Sequence, residues 1–139
     1  MPNPLLTRAE ETDYRETSRH VDVMRFVEGL AARGDRRLHV TRFGSSPEGR
    51  ELPLLVLSTS SIQTPAQAKL SGLPVVLIIN GIHAGEVEGK EAAMMLVRDL
   101  LSGPGGDLLE HMVLLVVPLY NPDGNDRIDP ANRQLNLAK

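Results

Sequence analysis

Apolar residues recur at helical spacing in two long stretches of the chain. In residues 18–33 they fall on one helical face, and Gly34 is placed to end that helix. A second apolar stripe runs through residues 88–101, and Gly103-Pro104-Gly105-Gly106 follows it. The sequence therefore predicts two amphipathic helices. It also predicts a short helix over residues 64–70, where Pro65 suits the first helical position.

Four short apolar runs have the length and β-branched content of strands: residues 38–43, 52–58, 75–79 and 112–117. A turn-rich segment separates the first two, which predicts an antiparallel pair. The last two are continuous apolar runs flanking the second long helix, a pattern typical of parallel strands buried on both faces. We therefore expect an α/β fold: a mixed, mainly parallel sheet with helices on both faces.

The two ends of the chain are polar. Residues 1–16 are predicted to be an irregular lead-in, and residues 17–139 to form the body of the domain. Thr7 and Glu10 have the spacing of a capping box, but no apolar periodic run follows them, so we predict no helix there. After Pro118 the sequence predicts a turn at Asn121-Pro122-Asp123-Gly124 and no further core element.

Composition excludes several classes of function. The 139 residues are 41% hydrophobic and carry a net charge of −3, which is not the basic excess of a nucleic-acid binder. There is no cysteine, so disulfides, thiol nucleophiles and Cys-type zinc sites are excluded. The apolar runs are far shorter than the roughly 20 residues of a membrane span. No signal peptide is visible, and the compartment stays open.

His83 and Glu86 are the candidate metal ligands. They follow the predicted strand at residues 75–79 and precede a helix, and ligands bind at the carboxyl ends of strands in α/β sheets. Zinc takes imidazole nitrogen and carboxylate oxygen, and a catalytic site uses three protein ligands plus water. An isolated pair at this spacing is also common by chance. Its position at a strand end is what favours a metal site.

Other titratable residues have simpler interpretations. His111 is placed at the start of a strand parallel to the one that His83 follows, so the two should lie roughly 20 Å apart. His20 and His39 are expected to be structural. Glu88 and Glu91 open a helix, where acidic side chains favour the positive end of the dipole.

Four ordered motifs resemble the M14 zinc carboxypeptidases. Asn80-Gly81-Ile82-His83-Ala84-Gly85-Glu86 is similar to the family's zinc-ligand motif. Phe43-Gly44-Ser45-Ser46-Pro47-Glu48-Gly49-Arg50 resembles its "GxSxEGR" turn, and Pro118-Leu119-Tyr120-Asn121-Pro122-Asp123-Gly124 its "P-x-x-NPDG" loop. Tyr14 followed by an amphipathic helix resembles the family's opening. The resemblance runs from about residue 14 to residue 133.

This resemblance implies a zinc-dependent metallocarboxypeptidase that hydrolyses C-terminal residues from peptides. His83 and Glu86 then match the first two zinc ligands, and Arg127 or Arg133 is the candidate arginine for the developing oxyanion. Asn136 stands near the position where many relatives have that arginine. Gly85 replaces the arginine that many relatives carry between the ligands, which puts outer-subsite specificity in doubt.

The family's third zinc ligand, terminal-carboxylate-binding pair and catalytic glutamate are expected beyond Lys139. We therefore expect the chain to be an incomplete and inactive fragment, one that binds a single Zn²⁺ weakly. We also expect it to self-associate through an unpaired sheet edge. The alternatives are a metal-dependent amidase or deacylase resembling the aspartoacylase–succinylglutamate branch, and a non-catalytic peptide-binding module.

Overall fold

The computed structural model describes residues 5–59 and 61–129. Its strands are β1 (Leu38–Ser45), β2 (Glu51–Leu57), β3 (Val75–Ile79) and β4 (Val113–Val117), in the sheet order β1-β2-β4-β3. Its α-helices are α1 (Arg8–Glu11), α2 (His20–Ala31), α3 (Pro65–Ser71), α4 (Glu88–Ser102) and α5 (Pro122–Asp126). A 3₁₀ helix, Pro104–Glu110, lies between α4 and β4.

Strand pairing confirms the mixed α/β fold. β1 and β2 are antiparallel, and β3 and β4 are parallel with α4 as their crossover, as predicted. The expectation that the sheet is mainly parallel is not met in the described residues, because β2 also pairs antiparallel with β4 and only β3 and β4 pair in parallel. The predicted helices are found with ends that shift by at most two residues.

The main core lies between one face of the sheet and helices α2 and α4. Alternate residues of β2 and β4 point into it because successive strand side chains face opposite ways. A smaller cluster on the other face is partly covered by α3. The main core contains Val23, Phe26, Val27, Leu30, Leu55, Leu57, Val97, Leu100, Leu114 and Val116, among others, and the smaller cluster contains Val56, Ile62 and Val113.

The prediction that β3 is buried on both faces is wrong. Four of its five residues are exposed, and Leu77 retains 53% of its accessible surface. Among the described residues, β3 is an edge strand that pairs only with β4. The apolar run indicated its strand character, but its burial depended on its place in the sheet.

The capping box of Thr7 and Glu10 is present, and the prediction that no helix forms there is wrong. Thr7 Oγ1 accepts a hydrogen bond from the Glu10 N–H at 3.3 Å, and Glu10 Oε2 accepts one from the Thr7 N–H at 2.9 Å. Arg98 of α4 donates to the same Glu10 carboxylate at 2.7 Å and to the Leu5 carbonyl at 3.0 Å. This tertiary contact supports a helix of four residues that lacks an apolar stripe.

The segment after β4 contributes more to the core than predicted. Leu119 is 1% exposed and joins the main core. The predicted turn at residues 121–124 forms the start of α5, with the Asn121 side chain accepting a hydrogen bond from the Gly124 N–H at 2.9 Å. Pro122 and Asp123 are both buried in this short helix. Their burial follows from contacts with distant segments, described below.

Candidate metal centre

The parallel pairing of β3 and β4 continues into the two loops that follow these strands. The Asn80 N–H donates to the Val117 carbonyl at 3.0 Å, and the Tyr120 N–H donates to the Asn80 carbonyl at 2.9 Å. One step further, the Asn121 N–H donates to the Gly81 carbonyl at 3.0 Å. These bonds fix the start of residues 81–86, which we call the ligand loop.

Gly81 allows the ligand loop to leave the sheet while its backbone stays closely packed against Leu119. Its φ of +60° lies in the left-handed region, and a Cβ there would approach Leu119 Cδ1 to 2.6 Å. Gly85 also has a positive φ, +83°, but a Cβ there would meet no atom within 4 Å. The first glycine is therefore required by both torsion and space, and the second by torsion alone.

The ligand loop brings the two predicted metal ligands together. His83 Nδ1 and Glu86 Oε1 lie 2.7 Å apart, and the His83 N–H donates to Glu86 Oε2 at 3.0 Å. The His83 side chain is 66% exposed and that of Glu86 37% exposed, so both reach the surface at the carboxyl end of β3. The loop closes on itself through a hydrogen bond from the Glu86 N–H to the His83 carbonyl at 3.3 Å.

The pair has the donor types that zinc binds. Zinc–nitrogen and zinc–oxygen bonds are about 2 Å long, so two ligand atoms of one tetrahedral ion lie about 3.3 Å apart. The imidazole nitrogen and the carboxylate oxygen, 2.7 Å apart, are at hydrogen-bond distance and would separate slightly to share an ion. Within residues 5–59 and 61–129, no group of three or more His, Asp or Glu side chains could hold a metal. The described part of the chain thus offers two ligands.

Among the remaining sequence candidates, the structure describes Arg127 and the three other histidines. Arg127 forms an ion pair with Glu48, and its side chain is 65% exposed. Arg133 and Asn136 lie outside the described residues. His20 binds the Glu51 carbonyl through Nε2 at 2.8 Å, a structural contact between α2 and β2. His39 lies in β1, and His111 is exposed just before β4.

Two buried charges behind the ligand loop were not predicted. Lys90 is fully buried in the first turn of α4, where its ammonium donates to the Ser18 carbonyl and to Asn125 Oδ1, both at 2.5 Å. Burial lowers the pKa of Lys90. Glu91 is 7% exposed and accepts hydrogen bonds from Thr17 Oγ1 and from the Ser18 backbone and hydroxyl. The sequence predicted only a helix-dipole role for Glu91, but its hydrogen-bond partners lie more than 70 positions away.

Asp123 is the hub of a second polar cluster that joins two of the motifs. It accepts hydrogen bonds from Ser46 Oγ at 2.7 Å, Arg50 Nη1 at 2.6 Å and the Glu48 N–H at 3.1 Å. Burial alone would raise the pKa of Asp123, but the hydrogen bonds from Ser46, Arg50 and the Glu48 backbone outweigh it and lower the pKa. The only sequence signal for this cluster was the joint occurrence of the two motifs.

The mixed sheet carries a His–Glu pair at the carboxyl end of a parallel strand, which is where α/β proteins bind their ligands. The fold and the site together therefore define an α/β protein with a candidate metal centre. The sequence profile of the zinc carboxypeptidase family matches residues 23–137. That range contains both candidate ligands and both motifs of the Asp123 cluster. The chain therefore belongs to the zinc carboxypeptidase family.

Individual relatives are consistent with this membership. Carboxypeptidase 2 of Trichophyton rubrum is 35% identical over 106 residues, which span 68% of this chain and 19% of that protein. A metallo-carboxypeptidase structure from Burkholderia cenocepacia matches with a TM-score of 0.60 at 26% identity, over 75% of this chain and 27% of that one. The carboxypeptidase A structure from Helicoverpa armigera matches with a TM-score of 0.67 at 24% identity, over 78% and 25%, and supports the fold alone. The chain thus spans about one fifth of the length of its Trichophyton relative.

Proposed function

We propose that His83 and Glu86 are two ligands of a catalytic zinc ion in a metallocarboxypeptidase that removes C-terminal residues from peptides. The observation that carries this proposal is the 2.7 Å approach of His83 Nδ1 to Glu86 Oε1 at the carboxyl end of β3. Family membership supports both zinc as the metal and peptide hydrolysis as the reaction class. When bound, zinc polarises the scissile carbonyl and lowers the pKa of a water molecule.

The chain's own residues have separate tasks in this proposal. His83 and Glu86 supply one nitrogen and one oxygen ligand, and the left-handed backbone at Gly81 begins the loop that carries both. Arg127 is a candidate to stabilise the oxyanion, and in that role it would exchange its ion pair with Glu48 for the substrate. Arg133 is the second candidate for the same task.

A catalytic zinc ion takes three protein ligands, and the described residues offer two. We therefore propose that the third ligand and the general base come from outside residues 5–59 and 61–129. Residues 1–4, 60 and 130–139 contain no His, Asp or Glu, so on this basis the 139-residue chain binds zinc but does not hydrolyse peptides by itself.

Zinc binding is the first test. Isothermal titration of the chain with Zn²⁺ should give saturable binding that His83→Ala removes, because a lone exposed carboxylate holds zinc poorly. His111→Ala is the matched control. His111 is also exposed, but it lies just before β4, whereas His83 follows the parallel strand β3. Indistinguishable isotherms for the chain and His83→Ala would contradict the proposal.

The reaction is tested on the longest protein that contains this chain. A zinc-loaded carboxypeptidase releases the last residue of an N-terminally blocked peptide but not of the same peptide with an amidated C-terminus. Release from N-acyl amino acids alone would favour the deacylase alternative. Binding of the peptide without turnover, in a protein that holds zinc, would favour the binding module.

We also propose that the chain associates with a second copy through the outer edge of β3. The strand sequence Val-Val-Leu-Ile-Ile carries no charge, proline or glycine, the residues that commonly block edge pairing. Four of its five residues are exposed, and its outer edge pairs with no other described strand.

None of the described helices is long and apolar enough to cross a membrane.

A further inference from the structure

We propose that Asn121 is a positioning residue for the zinc ligands, acting as a clamp between α5 and the ligand loop. The inference deepens the proposed function and rests on it in one respect, that the ligand loop holds zinc. Asn121 lies 38 positions after His83 and has no contact with either ligand side chain among its described hydrogen bonds. Its effect on the metal would pass through the backbone.

Asn121 holds the ligand loop at two successive residues. Its backbone N–H donates to the Gly81 carbonyl at 3.0 Å, and its side-chain Nδ2 donates to the Ile82 carbonyl at 3.2 Å. These carbonyls immediately precede His83. The two bonds therefore restrict the peptide planes that set the direction of the His83 side chain.

The other end of the same amide is held by α5. Asn121 Oδ1 accepts the Gly124 N–H at 2.9 Å, so the side chain is an N-cap that also donates outward. Gly124 provides the room, because a Cβ there would lie 2.7 Å from Asn121 Nδ2. The Asn121 side chain thus accepts a hydrogen bond from α5 through Oδ1 and donates one to the ligand loop through Nδ2. Ser cannot reach both elements, and Asp has no donor.

α5 is itself anchored, which gives the clamp a rigid base. Asp123, two residues further on, is fixed by Ser46, Arg50 and the Glu48 backbone of the β1–β2 connection. On the other side, Asn125 Oδ1 accepts a hydrogen bond from buried Lys90 at 2.5 Å. Because α5 is held at both points, Asn121 can in turn hold the ligand loop in a fixed position.

Two variants remove the contact of Asn121 with the ligand loop while keeping its capping of α5. Asn121→Ser keeps a good N-cap acceptor without a charge, and its side chain is too short to reach the Ile82 carbonyl. Asn121→Asp keeps the size and the cap but replaces the donor with an acceptor. Gln67→Glu is the control, because it makes the same change from amide to carboxylate at the start of α3, away from the ligand loop and α5.

The first measurement needs no metal. In the zinc-free chain, the ¹⁵N order parameters of residues 81–86 should fall from about 0.85 toward about 0.6 in both Asn121 variants. Residues of β4 should keep their values in every variant. Unchanged order parameters in both Asn121 variants, or an equal fall in Gln67→Glu, would overturn the inference whether or not zinc binds.

The second measurement adds zinc. Outer-sphere partners of metal ligands typically contribute 10- to 100-fold in affinity, and we expect the zinc dissociation constant to rise about 10-fold in both Asn121 variants. An unchanged constant alongside a looser loop would overturn the positioning role. If the unmodified chain binds no zinc while its loop loosens in the variants, the proposed function fails and the clamp stands.

Discussion

Gly81 is the residue whose identity most constrains the candidate metal centre. It combines a φ of +60° with tight packing, because a Cβ at this position would come within 2.6 Å of Leu119 Cδ1, a buried core atom. Gly49 has a comparable φ of +83° but open space around it. The chain thus offers two glycines that share a torsional requirement and differ in packing.

Gly81→Ala is therefore expected to destabilise the chain more than Gly49→Ala. Placing a non-glycine residue in the left-handed region costs about 1–2 kcal/mol, and overpacking adds about 1–3 kcal/mol at Gly81 alone. Urea unfolding of both variants measures the free energy of unfolding. Equal losses would show that Leu119 moves aside freely, and zinc affinity should then also survive in Gly81→Ala.

At the scale of elements, the Asp123 cluster ties the β1–β2 connection to α5. Ser46, Arg50 and the Glu48 backbone converge on one carboxylate that lies more than 70 positions away. The two family motifs thus have a structural role in this chain: one supplies the donors and the other the acceptor. Their joint presence holds α5 in place behind the ligand loop.

Asp123→Asn should destabilise the chain in a pH-dependent way. The pKa of Asp123 is lowered in the folded state, so its charged form stabilises the fold above the ordinary aspartate value of about 3.9. That contribution is lost as the pH falls through the lower folded-state pKa. The stability difference between the two proteins should therefore be largest above about pH 5 and shrink below about pH 4.

Chemical unfolding at pH 7, 5 and 3 measures this difference. Asp107→Asn, at an exposed carboxylate in the 3₁₀ helix, is the control and should change stability little at any pH. A difference for Asp123→Asn that stays constant from pH 7 to pH 3 would show that its charge contributes nothing.

For the whole molecule, the main question is what covers β3. One face of the sheet is closed by α2 and α4, while β3 keeps an apolar surface and an edge that pairs with no other described strand. Burial of such an edge is favoured both by backbone hydrogen bonds and by removal of apolar area from water.

Leu77→Lys should shift the chain toward monomer, because a charge in the middle of β3 opposes edge pairing. Leu77 is 53% exposed, so the substitution leaves the core intact. Leu70→Lys is the matched control, since Leu70 is 86% exposed on α3 and lies outside the strand. Light scattering over a concentration series reports the mass, and a single-chain mass for the unmodified protein at high concentration would contradict self-association.

Local sequence patterns predicted most of the fold and the core of the candidate site. Helical and strand periods identified α2, α4 and all four strands, because these patterns express which face of each element avoids water. His83 and Glu86 were predicted as a pair because three residues across one tight loop suffice to bring their side chains together. The family motifs placed this loop in the zinc carboxypeptidases, and the match over residues 23–137 confirmed the family.

Only the tertiary structure decided the features that depend on distant partners. The exposure of β3 follows from its place in the sheet order, which a run of apolar residues does not encode. The first helix forms where Arg98 reaches Glu10, 88 positions away, and Asn121 meets Ile82 across 39 positions. A sequence window of one helix or strand never contains both partners of such contacts, so only the folded chain could show them.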